Sequence, residues 1–193
     1  DYDSEFRFGG RPFASLQGLD EHAQVLYSGT FSKVMYPGIR LGYLVVPTDL
    51  LPAFNTGLYD LYRPGQLMLQ AALTDFITEG HLNTLIRRLR VAYQARRDEL
   101  ARRIQRCLGD RVQISGQESG LHLCLLFNTP DVDDEAIART ANAQGMTVRP
   151  LSRYYLGEPR QRGLILGYAY VPTERVPPWA QKLCQLIRSQ LPD

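Results

Sequence analysis

Lysine is almost absent from this chain of 193 residues: of its 22 basic residues, twenty are arginine and only Lys33 and Lys182 are lysine. Cysteine is scarce too. Cys107, Cys124 and Cys184 are odd in number and far apart in sequence, which excludes a complete disulfide framework and a CxxC metal knuckle and predicts reduced thiols in a cytoplasmic protein without a metal site. No apolar run approaches the ~18 residues a membrane-spanning helix needs. The acidic opening Asp1-Tyr2-Asp3-Ser4-Glu5 has no apolar core of the kind a signal peptide carries. Net charge is only +2, and no internal repeat or low-complexity tract is present. What remains is an ordinary globular composition, 44% apolar, which excludes disorder and is enough for one large domain or two small ones.

Hydrophobic patterning predicts strands at Val25-Leu26-Tyr27, ending in a Ser-Gly-Thr turn, and at 39–46, the second buried on both faces because it is nearly all apolar. Helices are expected from Thr48-Asp49 to about Tyr59, over 66–78, and over 81–108, where apolar residues recur at three- and four-residue spacing. The texture changes at Val112-Gln113-Ile114 and a Gly116–Gly120 turn region; strands are expected at 121–127 and 164–169, Thr147-Val148-Arg149 leads into a polar, Tyr-rich loop, and helices are expected over 133–144 and from Pro177-Pro178 to about Gln190. Strands and helices alternate, so the fold class is α/β. Eight arginines between Ile86 and Arg106 read as the solvated face of a core-packing helix rather than a nucleic-acid contact, since no aromatic interleaving accompanies them.

In a chain that writes its cations as arginine, Lys33 is conspicuous. It lies in Gly29-Thr30-Phe31-Ser32-Lys33, between two strands, where functional groups collect. Arginine cannot replace lysine where a neutral primary amine is needed. An aldehyde cofactor such as pyridoxal 5'-phosphate needs an amine to condense with, a phenol or similar donor at the ring oxygen, and a cation for its phosphate. Lys33, Tyr2 and Arg40 offer these, and Thr30 and Ser32 add hydroxyls. Lysine and arginine seven residues apart are common, so spacing alone leaves a chance loop lysine open. His122, on an apolar strand, reads as structural.

The wording of the sequence goes further. Asp1-Tyr2-Asp3-Ser4-Glu5-Phe6-Arg7, Leu16-Gln17-Gly18-Leu19-Asp20, Gly29-Thr30-Phe31-Ser32-Lys33, Pro37-Gly38-Ile39-Arg40-Leu41-Gly42-Tyr43, Arg96-Arg97-Asp98-Glu99-Leu100, Ser152-Arg153-Tyr154-Tyr155 and Leu166-Gly167-Tyr168-Ala169 closely resemble MocR-type regulators of the GntR family. These join a winged helix-turn-helix to a fold-type-I, aminotransferase-like domain. The resemblance covers essentially the whole chain. It implies Lys33 as the lysine that condenses with pyridoxal 5'-phosphate, Arg40 as the phosphate-binding arginine, Tyr2 as the phenol on the ring oxygen, with Thr30 and Ser32 beside the phosphate, and Arg153 as the arginine that grips an effector's carboxylate.

On that resemblance the chain is expected to be the C-terminal portion of a fold-type-I PLP-dependent transferase. Residues 1–62 would be a remnant of the large PLP-binding domain, 63–109 linking helices, and 110–193 a small C-terminal α/β domain with a mostly antiparallel sheet. In that family an acid before the position of Asp1 pairs with the pyridinium nitrogen, and a preceding segment stacks on the ring, so these 193 residues alone are expected to hold the cofactor weakly. The implied function is effector-sensing transcription regulation, regulatory rather than catalytic, in a homodimer that meets DNA only through a domain absent from this sequence. Two other readings stay open: a class I aminotransferase acting on an amino acid, and a cofactor-free interaction domain.

Overall fold

The computed structural model describes residues 4–10, 13–63, 65–129 and 132–191. The chain divides into two compact units, 1–89 and 90–193. Their cores are unequal. Of thirty buried hydrophobic residues among those described, four (Phe6, Val34, Ile39 and Leu73) belong to the first unit, whereas eighteen of the twenty-two exposed large hydrophobics do.

In the first unit, β1 (Tyr27–Thr30) pairs antiparallel with β2 (Gly42–Val45), in the register Tyr27↔Val45 through Thr30↔Gly42. The Ser-Gly-Thr segment expected to turn is therefore strand, and the 39–46 stretch expected to be buried on both faces is exposed at every residue of β2. Its apolar composition predicts burial, but β2 has a single partner strand among the described residues, in a two-stranded sheet. Gly42 is required by the pairing, since a Cβ there would sit 2.8 Å from the carbonyl oxygen of Gly29. A 3₁₀ turn at Thr48–Leu50 leads into α1 (Leu51–Tyr62), and neither start has a side-chain cap. Next come α2 (Leu67–Thr78) and α3 (His81–Leu108). The division between units falls inside α3, whose limits are those its hydrophobic spacing predicts.

The second unit carries the core. Its sheet has the order β3-β4-β6-β5, antiparallel throughout, from Val112–Ser115, His122–Phe127, Val148–Pro150 (β5) and Gly163–Gly167 (β6). Alternation along β4 buries Leu123, Leu125 and Phe127 as a half-covered strand should. His122 begins that strand exposed. Leu125 faces Leu164 across the pair, and Leu123 faces Leu166. β4 and β6 approach so closely at Gly163 that a Cβ would lie 2.3 Å from the Leu125 carbonyl oxygen. Against β5 and β6 lies α4 (Asp134–Ala143), capped by Asp133, whose carboxylate accepts from the Ala136 N–H at 2.8 Å, and α5 (Val176–Gln190), opened by Pro177-Pro178, packs on α4.

The arginine-rich stretch of α3 is not simply a solvated face. Arg97 is 8% exposed, paired with Asp98 at 2.6 Å and donating to the Gln117 carbonyl. Arg96 donates to Thr173 Oγ1 at 3.1 Å and to the Ala169 carbonyl. Arg102 and Arg103 both pair with Glu99, and these guanidinium hydrogen bonds hold its carboxyl below the usual range. Two of the eight arginines thus fasten α3 inside the second unit. Because that unit holds twenty-six of the thirty buried hydrophobics, we expect residues 90–193 expressed alone to unfold cooperatively, with residues 1–89 alone giving no sharp transition. Calorimetry of the two pieces checks this. A broad melt of 90–193 would mean that its core depends on the rest of the chain.

Candidate functional site

The residues Thr30, Ser32, Lys33 and Arg40 fall on one strand–loop–strand element. The Thr30↔Gly42 pair closes it, and the loop between is tied internally. Phe31 N–H donates to the Leu41 carbonyl at 3.1 Å, and Met35 N–H to the Phe31 carbonyl at 2.9 Å. Thr30 Oγ1 accepts from the Ser32 N–H at 3.2 Å and donates to the Leu41 carbonyl over a long 3.4 Å. The loop is held at both ends by backbone and by one hydroxyl, which fixes Lys33 between a buried Val34 and a half-buried Ser32.

Lys33 is half-buried and Arg40 exposed. Arg40 ends the 3₁₀ turn Pro37–Ile39 in the left-handed region, at φ 49°. A side-chain-bearing residue there costs about 1–2 kcal/mol, and such positions persist where neighbours over-determine them and cluster at ligand sites. Behind the loop the Tyr43 ring lies 5.5 Å from Phe31 and 6.0 Å from Tyr27. Burial and the hydrogen bond with Tyr43 push the Tyr27 phenol up. The approach to β1 is shaped by Asp20, whose carboxylate accepts from the N–H groups of His22 (3.0 Å), Gln24 (2.6 Å) and Val25 (2.7 Å). Those bonds, led by His22, hold its pKa below the ordinary aspartate value. The element thus presents one primary amine, hydroxyls and a guanidinium on a braced loop, the donor set of a phosphate-bearing carbonyl compound. Among the described residues no group of three His, Cys, Asp or Glu is placed to hold a metal.

Tyr2 lies outside the described residues. Arg153 belongs to the second unit, on the 3₁₀ turn Leu151–Tyr154. Its side chain is 63% exposed and pairs with Glu135 at 3.3 Å. It lines an open cavity of about 420 Å³ with Glu135, Arg139, Asn142, Arg149 and Tyr154. Three guanidinium groups against one carboxylate make that cavity suited to an anion.

A residue the sequence did not single out organises this region. Asp134 is fully buried and accepts at Oδ2 from the N–H groups of Ser152 (2.9 Å) and Gly163 (3.1 Å). Its Oδ1 lies 3.6 Å from Arg162. The start of α4, the Arg153 turn and the start of β6 are therefore pinned to one carboxylate. The adjacent Asp133 looks identical in sequence and merely caps the helix.

Residues 4–178 match the family model of aminotransferase class I and II. The probable rhizopine catabolism regulatory protein MocR of Rhizobium meliloti is 43% identical over 88% of this chain and 34% of its own length. An HTH-type transcriptional regulator of Bacillus subtilis, YhdI, is 36% identical over 95% of the chain and 39% of its own. The chain spans about a third of the length of the curated relatives it matches. Among solved structures, the multiple substrate aminotransferase of Thermococcus profundus superposes with a TM-score of 0.85 at 22% identity, covering 98% of this chain and 47% of that one. The architecture is thus the C-terminal portion of a fold-type-I transferase. The chain belongs to the aminotransferase class I and II family and matches the aminotransferase-like part of MocR-type regulators.

Proposed function

We propose that this chain forms the pyridoxal 5'-phosphate- and effector-binding part of a transcription regulator, with residues 1–62 contributing to the large domain, 63–109 linking, and 110–193 forming the small domain. The observation that carries the reading is the braced loop: a half-buried lysine in an arginine-writing chain, seven residues before an arginine held left-handed. That donor set fits the cofactor. When bound, pyridoxal phosphate supplies an aldehyde that captures primary amines.

Lys33 Nζ supplies the amine that holds the cofactor. Arg40, with Ser32 and Thr30, binds the phosphate at the two ends of the loop. Thr30 Oγ1, whose bond to the Leu41 carbonyl is long at 3.4 Å, would donate to the phosphate. Tyr2 donates its phenol to the ring oxygen. Arg153 takes the carboxylate of an amino-compound effector, exchanging its exposed pair with Glu135 for two parallel hydrogen bonds. The whole protein would act as a cytoplasmic homodimer that reaches DNA through a separate domain. No helix among the described residues is long and apolar enough to cross a membrane.

Borohydride reduction of the full-length gene product with pyridoxal phosphate, followed by peptide mapping, tests the cofactor assignment. The label is expected on the Lys33 peptide. A label on Lys182, or none, overturns it. Effector binding is tested by Arg153→Ala. Charge-assisted hydrogen bonds contribute about 1.5–3 kcal/mol, so affinity for a carboxylate-bearing amine should fall roughly ten- to over a hundredfold, with cofactor binding unchanged. An unchanged effector titration returns Arg153 to the surface. Steady turnover with an amino donor and a keto acid would favour an aminotransferase.

A further inference from the structure

Two of the three cysteines, remote in sequence, meet in the second unit. Cys107 is the penultimate residue of α3 and is half-exposed, whereas Cys184, in the middle of α5, is 1% exposed. The two thiols interact, and both line one cavity of about 260 Å³ together with Arg103, Arg106 and Arg188. Arg188, one turn after Cys184, donates to the Cys107 carbonyl, which fixes the end of α3 against α5 at the level of the two sulfurs. Cys124 stands apart, half-buried on β4, and lines none of this cavity.

We propose that Cys107 and Cys184 are a reversible dithiol–disulfide pair, oxidised by hydrogen peroxide, that locks the end of α3 to α5. The two sulfurs have unequal roles because their surroundings differ. Cys107 opens to solvent through a cleft walled by guanidinium groups, so peroxide reaches it first. Its thiolate attacks one peroxide oxygen, the O–O bond breaks, and the hydroxide that leaves is stabilised by the flanking cations. Burial, reinforced by the Cys107 contact, pushes the Cys184 thiol up to about 12. It therefore waits as a thiol until its neighbour becomes a sulfenic acid. Its sulfur then attacks the Cys107 sulfur, the S–O bond breaks, and its proton leaves with the departing oxygen as water. In sum, two thiols lose two electrons and two protons, and one peroxide becomes two waters.

The bond would close a loop that contains all four strands of the second sheet together with α4. A cross-link over so long a loop restricts the unfolded chain more than the folded one, so oxidation should stabilise this unit. Thioredoxin-type or dithiothreitol reduction would restore the pair.

The test is peroxide treatment of the full chain, alkylation of remaining thiols, and non-reducing peptide mapping. The expected product is a monomer lighter by two hydrogens with a Cys107–Cys184 cross-linked peptide, one alkylatable thiol (Cys124), a raised melting temperature, and full reversal by dithiothreitol. Cys124→Ser should give the same bond. Cys107→Ser should leave Cys184 reduced under the same treatment, because the buried sulfur has lost its entry partner. The wild-type map needs no variant to fold, so the proposal does not depend on one. Three intact thiols, Cys107 over-oxidised beside a free Cys184, a cross-link to Cys124, or one between chains would each overturn it.

Discussion

Lys33→Arg is expected to abolish covalent capture of pyridoxal phosphate outright while leaving the fold in place. The substitution keeps the charge and most of the aliphatic stem. It removes the one property the reading depends on, because guanidinium does not deprotonate in proteins and cannot offer a neutral amine. Lys33 lies in a turn and is half-buried, and the loop around it is tied by the backbone bonds of Phe31 and Met35 and by the Thr30 hydroxyl. Lys182→Arg is the matched control. That side chain is exposed and donates to the Gln144 carbonyl at 3.2 Å, a bond that arginine can also make. Visible absorbance of the bound cofactor and intact mass after borohydride should show a complete loss for Lys33→Arg and none for Lys182→Arg. A retained label in the first variant would move the covalent site away from the loop, whatever the fold.

How much of this was open to a reader of the sequence depends on the range over which each signal acts. α3 was legible to the residue because amphipathic spacing is local and repeats over many turns. α5 announced itself by two prolines where a helix tolerates them. The candidate loop was legible too, since a lone lysine among small residues needs no fold to be noticed. β2 misled because an apolar run states what a strand prefers and not what covers it. The anchoring of Arg96 and Arg97, the Cys107–Cys184 contact and the burial of Asp134 all join positions far apart in sequence. Composition gives no hint of them. Asp133-Asp134 is the clearest instance: two adjacent identical residues, one a surface cap and the other the buried acceptor of two backbone groups.

Asp134→Ala should be the most destabilising single change in the second unit, by about 3–5 kcal/mol. Its side chain is fully buried, and the alanine methyl would leave the Ser152 and Gly163 N–H groups without their acceptor. Each buried donor left unsatisfied costs about 1–3 kcal/mol. Arg162, a third exposed and 3.6 Å from Oδ1, would lose its counter-charge as well, which adds to the cost of breaking a buried pair. A shift of this size lowers the melting temperature by roughly 15 °C or more for a unit of about a hundred residues. Asp134→Asn keeps one acceptor oxygen and loses the charge, so it should cost about 1–2 kcal/mol, less than half as much. The consequence reaches the proposed effector site. Ser152 immediately precedes Arg153, and its N–H bond to Asp134 holds that turn to the start of α4, where Glu135 meets Arg153. In the alanine variant, effector affinity should therefore fall with no change in cofactor capture at Lys33, which a titration of each ligand on the same preparation resolves. Equal melting temperatures for wild type and Asp134→Ala would show that the two N–H groups find another acceptor and that this carboxylate does not organise the turn.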